Sequence, residues 1–130
     1  MTFPITATYA AVFALWCIAL TTQVIARRAS TGISLGDGGD AAMLEAIRRH
    51  GHLTETLPLA LILMALAEAG GLPAPWLHVA GLGLLTARLA HPFGIGAGRP
   101  VALRVAGTLG SFAVTGGLAL FLLARGTGLA

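Results

Sequence analysis

The stretch AIRRHGHLTETLPLALILMALAEAGG, residues 46–71, decides how this chain is read. It opens as a cationic helix with Arg48, Arg49, His50 and His52, and it closes as an apolar run. Glu55 and Pro58 stand at the junction. The rest of the chain says what the apolar half is for. Of its 130 residues, 56% are hydrophobic and only 10% are charged, against about 25% charged in an ordinary soluble domain. Mean hydropathy is +0.85. A chain with so little polar surface belongs in a bilayer. The net charge of +3 is small and confined to a few places, so it reads as a topology signal and not as a nucleic-acid footprint. Cys17 is the sole cysteine, which excludes an internal disulfide. No basic segment precedes the first apolar run, so a cleaved signal peptide is not expected.

A hydrocarbon core about 30 Å thick takes roughly 20 helical residues. Residues 5–26 supply a first span, closed by Arg27 and Arg28. The glycines and aspartates of STGISLGDGGD, residues 30–40, stop any helix. Asp40 is placed to cap a second helix over 41–69, longer than a bilayer needs, so its first turns should project into water. GGLPAP breaks the chain, residues 76–91 form a third span ended by Pro92, and residues 101–124 form a fourth. Backbone groups in lipid must be satisfied within each segment, so the spans are helices. Short connections make them an all-α, up-down-up-down four-helix bundle, a single membrane domain over residues 1–130. Gly81, Gly83, Gly107, Gly110, Gly116 and Gly117 allow close helix approach, with Gly107 and Ser111 as a small-xxx-small face. Arg27, Arg28, Arg48 and Arg49 flank the first loop, and Arg88, Arg99 and Arg104 flank the third. Cytoplasmic loops carry the basic excess. Both termini should therefore face away from the cytoplasm.

Arg48, His52 and Glu55 are spaced i, i+4 and i+7. At about 100° per residue they share one helix face. Arg49 and His50 point elsewhere, toward headgroups or water. Glu55 lies deepest, and an unpaired carboxylate there costs a few kcal/mol, so it should face protein or a wet cavity and find a cation. Arg88 and Arg104 lie on the same side of the membrane. Pro58 removes a hydrogen bond to the Thr54 carbonyl and should kink the helix beside the cluster. Inward cations suit an anionic ligand, and arginine grips carboxylates in a bidentate fork. Glu55 suits an amino group. A small zwitterionic or peptide-like molecule meets both demands.

These features together resemble a known family, the membrane-associated proteins in eicosanoid and glutathione metabolism, which includes microsomal glutathione transferases and leukotriene C4 synthase. VIARRA, residues 24–29, is similar to the paired-arginine ending of the family's first span. RRHGHLTETLP, residues 48–58, resembles the second-helix signature Arg-x-x-x-Asn-x-x-Glu-x-x-Pro, with Arg48, Glu55 and Pro58 in register. ARLAHPFGI, residues 87–95, is similar to the end of the third helix, where the family has Ala-Arg-x-x-Tyr followed by Gly-Tyr. Arg104 lies near the family's thiolate-stabilising arginine. The resemblance implies a homotrimer of four-helix bundles with glutathione as co-substrate, bound between subunits at the cytoplasmic side. By resemblance Arg48 and Glu55 grip the tripeptide, with His52, Arg88 and His91 beside them. Arg27 or Arg28 meets a carboxylate, and Arg104 holds the sulfur as thiolate. Attack on a lipophilic electrophile or hydroperoxide arriving through the membrane would follow. The expected place is a bacterial inner membrane. The chain departs from the pattern where the signature asparagine is His52 and the tyrosines are His91 and Ile95.

Two further readings have less behind them. A relict site on the same fold would make the chain a non-enzymatic binding or scaffold protein. Metal binding by His50, His52 and His91 is disfavoured, because His50 and His52 diverge by about 200° on a helix; the expected metal content is none. Neither an inverted repeat nor paired broken helices suggest a transporter.

Overall fold

The computed structural model describes residues 2–128. Four α-helices follow one another: α1 (Pro4–Thr31), α2 (Ala41–Ala69), α3 (Ala74–Ala90) and α4 (Val101–Gly126), with a 3-10 turn, His91–Gly94, between the last two. Among the described residues there is no strand. Contacts at the ends show that successive helices run antiparallel. The end of α1 meets the start of α2 through Arg27 and Asp40, and the end of α2 returns to the start of α1 through Glu68.

The helices differ from expectation mainly at their ends. α1 was expected over 5–26 but runs through both arginines to Thr31, because nothing in that segment breaks a helix. It stops at Gly32, which takes the left-handed conformation at φ 71° and donates its N–H to the Arg28 carbonyl at 2.9 Å. Pro4 opens α1, where a missing N–H costs nothing. The next free donors are supplied from elsewhere in the chain: the Glu68 carboxylate accepts the N–H groups of Ile5 at 3.0 Å and Thr6 at 2.9 Å. An anion is favoured at that helix end. α2 keeps the bounds 41–69, and Asp40 caps it by accepting the Met43 N–H at 2.8 Å. That bond, then the Arg27 guanidinium, holds the Asp40 carboxyl below the usual aspartate range. α2 is continuous through Pro58. α3, expected over 76–91, spans Ala74–Ala90. Pro92 has no N–H to continue an α-helix, so the chain tightens into the 3-10 turn from His91. α4, expected over 101–124, reaches Gly126. α1, α2 and α4 are long and apolar enough to cross a membrane. α3 has 17 residues, about 26 Å at 1.5 Å each, a little short of a full hydrocarbon core.

The core runs along the bundle axis. Phe13 and Leu20 of α1, Leu53, Ala60 and Met64 of α2, Leu77 and Leu84 of α3 and Leu118 of α4 are buried together. Large apolar side chains also cover the outside, including Leu15, Leu59, Leu109 and Leu120, as a bundle solvated by acyl chains requires. Close approach uses small residues. Gly81 lies against the Tyr9 ring with no room for a Cβ, and the Tyr9 hydroxyl donates to the His78 carbonyl at 3.3 Å. Gly107 and Ser111 are buried between α3 and α4, so that small-residue face packs within the chain. Gly116 and Gly117 meet nothing within 4 Å.

Gly81→Ala should lower stability by about 1–3 kcal/mol, because the tyrosine ring must move. Gly116→Ala should change it by less than about 0.5 kcal/mol. Thermal unfolding of the two variants in one detergent checks the contrast; equal midpoints would contradict the packing described for Gly81.

Candidate functional site

Antiparallel packing gathers chemistry at one end of the bundle. The last turns of α1, the first turns of α2, the end of α3 and the start of α4 meet there. With the loop that precedes α4, they carry Arg27, Arg28, Arg48, Arg49, Arg88, Arg99 and Arg104, and leave only Arg125 of the eight arginines at the other end.

Part of this charge is used to hold the fold. Arg27 pairs with Asp40 at 2.7 Å, and Arg28 donates to the Ile33 and Gly36 carbonyls at 3.1 and 3.4 Å. Both are engaged within the first loop, and neither lines the cavity described next. Arg49, expected to meet headgroups or water, instead turns toward protein. It pairs with Glu45 at 3.0 Å and donates to the Ile95 carbonyl at 2.8 Å. The reason is local: Glu45 is one turn back on the same helix face, and Ile95 follows the 3-10 turn with its carbonyl free. Glu45 also accepts the Ala97 N–H at 3.3 Å. Together these two side chains clamp the 95–97 loop onto α2. His50 lies near Cys17, with Nε2 3.9 Å from the sulfur.

The remaining polar groups surround an open cavity of about 460 Å³. Arg48, His52 and Glu55 line it from α2, His91 and Ile95 from the 3-10 turn and its exit, and Arg104, Val105, Thr108 and Leu109 from α4. The i, i+4, i+7 stripe of the sequence therefore faces one space, and Arg104 faces it from another helix. Glu55 makes no ion pair among the described residues; its carboxylate reaches back over Gly51, 3.8 Å from where a Cβ would stand. Glycines set the spacing. Gly94 packs against the Arg104 backbone with no room for a side chain, and Gly107 takes the Ala87 carbonyl and His91 at 2.6 and 2.8 Å from its missing Cβ. The cavity has a charged side from α2 and an apolar side from Val105 and Leu109, both exposed on the outside of the bundle.

Arg88 stands one layer back. It is only 2% exposed, and its NH1 lies 3.0 Å from His52 Nδ1. Its Nε has no hydrogen-bond partner among the described residues. The His91 ring packs on His52 with centroids 3.9 Å apart, and His91 is also buried. Of the residues singled out from sequence, Arg48, His52, Glu55, Arg88, His91 and Arg104 thus come together, while Arg27 and Arg28 stand apart. Sequence reasoning missed Glu45 and Arg49 as the loop clamp and Gly94 as the seat of Arg104. The i, i+4 Glu–Arg spacing and the glycines of HPFGIGAG were the available signals. Among the described residues no group of three His, Cys, Asp or Glu could hold a metal ion.

A helical membrane bundle with an arginine-lined cavity at one end is the class that this fold and site define. The family model of the MAPEG family matches residues 6–124, and the chain belongs to that family, the membrane-associated proteins in eicosanoid and glutathione metabolism. It is an integral membrane protein. It is similar to Inner membrane protein YecN of Escherichia coli strain K12, 34% identical over 90 residues, which is 69% of this chain and 69% of that protein. The protein of the same name from Escherichia coli O6:H1 matches to the same extent. No solved structure gives a significant match.

Glu45→Ala should remove the ion pair of Arg49 and the acceptor of the Ala97 N–H, leaving Arg49 its bond to the Ile95 carbonyl, at a cost of about 1–3 kcal/mol. Amide hydrogen exchange should rise at residues 95–97 before it rises in α2. Unchanged exchange there would show that the loop is held by something else.

Proposed function

We propose that this protein is a glutathione-dependent transferase or peroxidase acting on lipophilic electrophiles or hydroperoxides. One observation carries the reading: Arg48, His52, Glu55, His91 and Arg104 from separate segments line one open cavity whose other wall is apolar. Glutathione offers two carboxylates, one amino group and a thiol. Arg48 would take a carboxylate through a charge-assisted pair, and Glu55, which pairs with no cation among the described residues, would take the amino group. His52 and His91 would line the tripeptide, with the buried Arg88 adding positive charge behind them. Arg104 would hold the sulfur as thiolate, because a guanidinium beside a thiol favours the charged form.

The thiolate is the attacking species. On an electrophilic carbon, a sulfur–carbon bond forms and the leaving group departs with the electron pair, or an unsaturated acceptor takes the pair and then a proton. On a hydroperoxide, the sulfur bonds to the terminal oxygen as the O–O bond breaks. The departing alkoxide takes a proton to leave as an alcohol, and a second glutathione displaces water from the sulfenic acid to form the disulfide, so that the peroxide is reduced and two thiols are oxidised. Val105 and Leu109 would offer the lipophilic partner a path from the bilayer.

The positive-inside rule supports an arginine-rich end at the cytoplasmic face, and both termini would then lie on the other side of a bacterial inner membrane. Residues 1–130 would act as one four-span domain, assembled as the homotrimer that the family implies. Arg27 and Arg28 lie outside the cavity of their own chain, so a role for either requires a site shared between copies. A second reading, a binding or scaffold protein with a relict site, draws support from His91 and Ile95 standing where the family has tyrosines. The chain's single tyrosine, Tyr9, lies at the other end of the bundle.

Equilibrium binding of glutathione to the detergent-solubilised protein tests the assignment. Arg48→Ala should weaken binding by about tenfold or more, the loss expected for a charge-assisted pair. Arg104→Ala should spare most of the binding and lower conjugation by about 10²–10³. Equally weak binding by wild type and Arg48→Ala would remove the site. Binding without turnover on any electrophile or hydroperoxide would favour the second reading.

A further inference from the structure

Arg88 is buried and faces not a carboxylate but an imidazole. We propose that Arg88 is a positioning residue: it holds His52 in the tautomer protonated at Nε2, so that His52 presents a hydrogen-bond donor to the cavity. A guanidinium has N–H donors and no acceptor. With NH1 3.0 Å from His52 Nδ1, the contact is a hydrogen bond only if Nδ1 offers its lone pair. The proton of the neutral ring is then on Nε2. Arg88 is 2% exposed, and His52 Nδ1 is its one side-chain partner among the described residues. The buried guanidinium is therefore held against His52, and in no orientation can it accept a hydrogen bond. His91 packs against the other side of the pair with ring centroids 3.9 Å apart, which sets the plane of His52. His52 lines the cavity and Arg88 does not. Since Nδ1 is taken, the nitrogen left for a ligand is Nε2.

The consequence is a selection of chemistry at this position. His52 stands where the second-helix signature has an asparagine, a side chain that either donates or accepts. Here only donation remains. The group it meets on a ligand is an acceptor: a carbonyl oxygen, a carboxylate oxygen or a thiolate. The same tautomer removes His52 as the base for a thiol proton, since its free lone pair is occupied by Arg88. That the acceptor belongs to a peptide thiol rests on the function proposed above; the tautomer does not.

The protein, labelled with ¹⁵N-histidine and held in lipid nanodiscs at mildly alkaline pH, provides the test. The His52 resonances are identified by their loss in His52→Asn. The expected wild-type spectrum has a protonated Nε2 and a bare Nδ1 shifted by hydrogen bonding. In Arg88→Met, similar in shape but without a donor, Nδ1 should move to the position of an unbonded nitrogen; Arg88→Lys should restore the bonded position. A wild-type proton on Nδ1 overturns the proposal, as does an Nδ1 resonance indifferent to Arg88→Met. If Arg88→Met fails to fold, the wild-type and Arg88→Lys spectra still decide. Glutathione affinity gives a second arm: Arg88→Met should weaken it about five- to tenfold, and most of that loss should vanish in a His52→Asn background. A loss of the same size in both backgrounds would show that Arg88 does not act through His52. The spectra are read without ligand, so failure of glutathione to bind would sink the proposed function and leave the tautomer to be decided on its own.

Discussion

Positive charge outnumbers negative charge at one end of this bundle, and the site follows from how the difference is distributed. Asp40 is taken by Arg27 and Glu45 by Arg49. Around the cavity that leaves Arg48, Arg104 and the buried Arg88 with Glu55 as the nearby carboxylate. A charge near or within a bilayer is costly unless it is paired or solvated. An unmatched set of guanidiniums is therefore a standing demand for an anion. The chain opens the set to a cavity of about 460 Å³, and a ligand with two carboxylates would meet the demand.

The packing serves this electrostatic arrangement. Without side chains at Gly94 and Gly107, the 3-10 turn presses onto the start of α4, which brings His91 and Arg104 to the same space. The Glu45–Arg49 pair then closes the loop that carries Ile95. At the far end, Glu68 ties α2 to the first N–H groups of α1, and Gly81 seats Tyr9. One end is thus fixed by a helix cap and ring packing. The other is held by ion pairs around an opening. Rigid elements supply the cationic groups, while the apolar wall of Val105 and Leu109 faces the medium from which a lipophilic partner would come.

Much of this was legible in the sequence because it depends on local periodicity. The Asp40 cap and the GG pair fixed both ends of α2, and a stretch of eight residues sufficed to align Arg48, His52 and Glu55. The rest depends on contacts across the chain that no period encodes. α1 extends to Thr31 because an arginine pair is a good topology signal but a poor helix terminator. Glu68 looks like the tail of an apolar helix until α1 is placed beside it. Arg49 was read as outward by helical angle alone, yet a long side chain can bend back to a free carbonyl. Arg88 was visible as a cation, but its imidazole partner lies 36 positions away.

The proposed function requires an anionic tripeptide in the arginine-lined cavity. A structure of the protein determined in lipid with glutathione tests this most directly. The tripeptide should lie between Arg48, Glu55 and Arg104, with its sulfur next to Arg104 and a carboxylate on Arg48. Glutathione bound elsewhere, or an empty cavity at saturating glutathione, would contradict it.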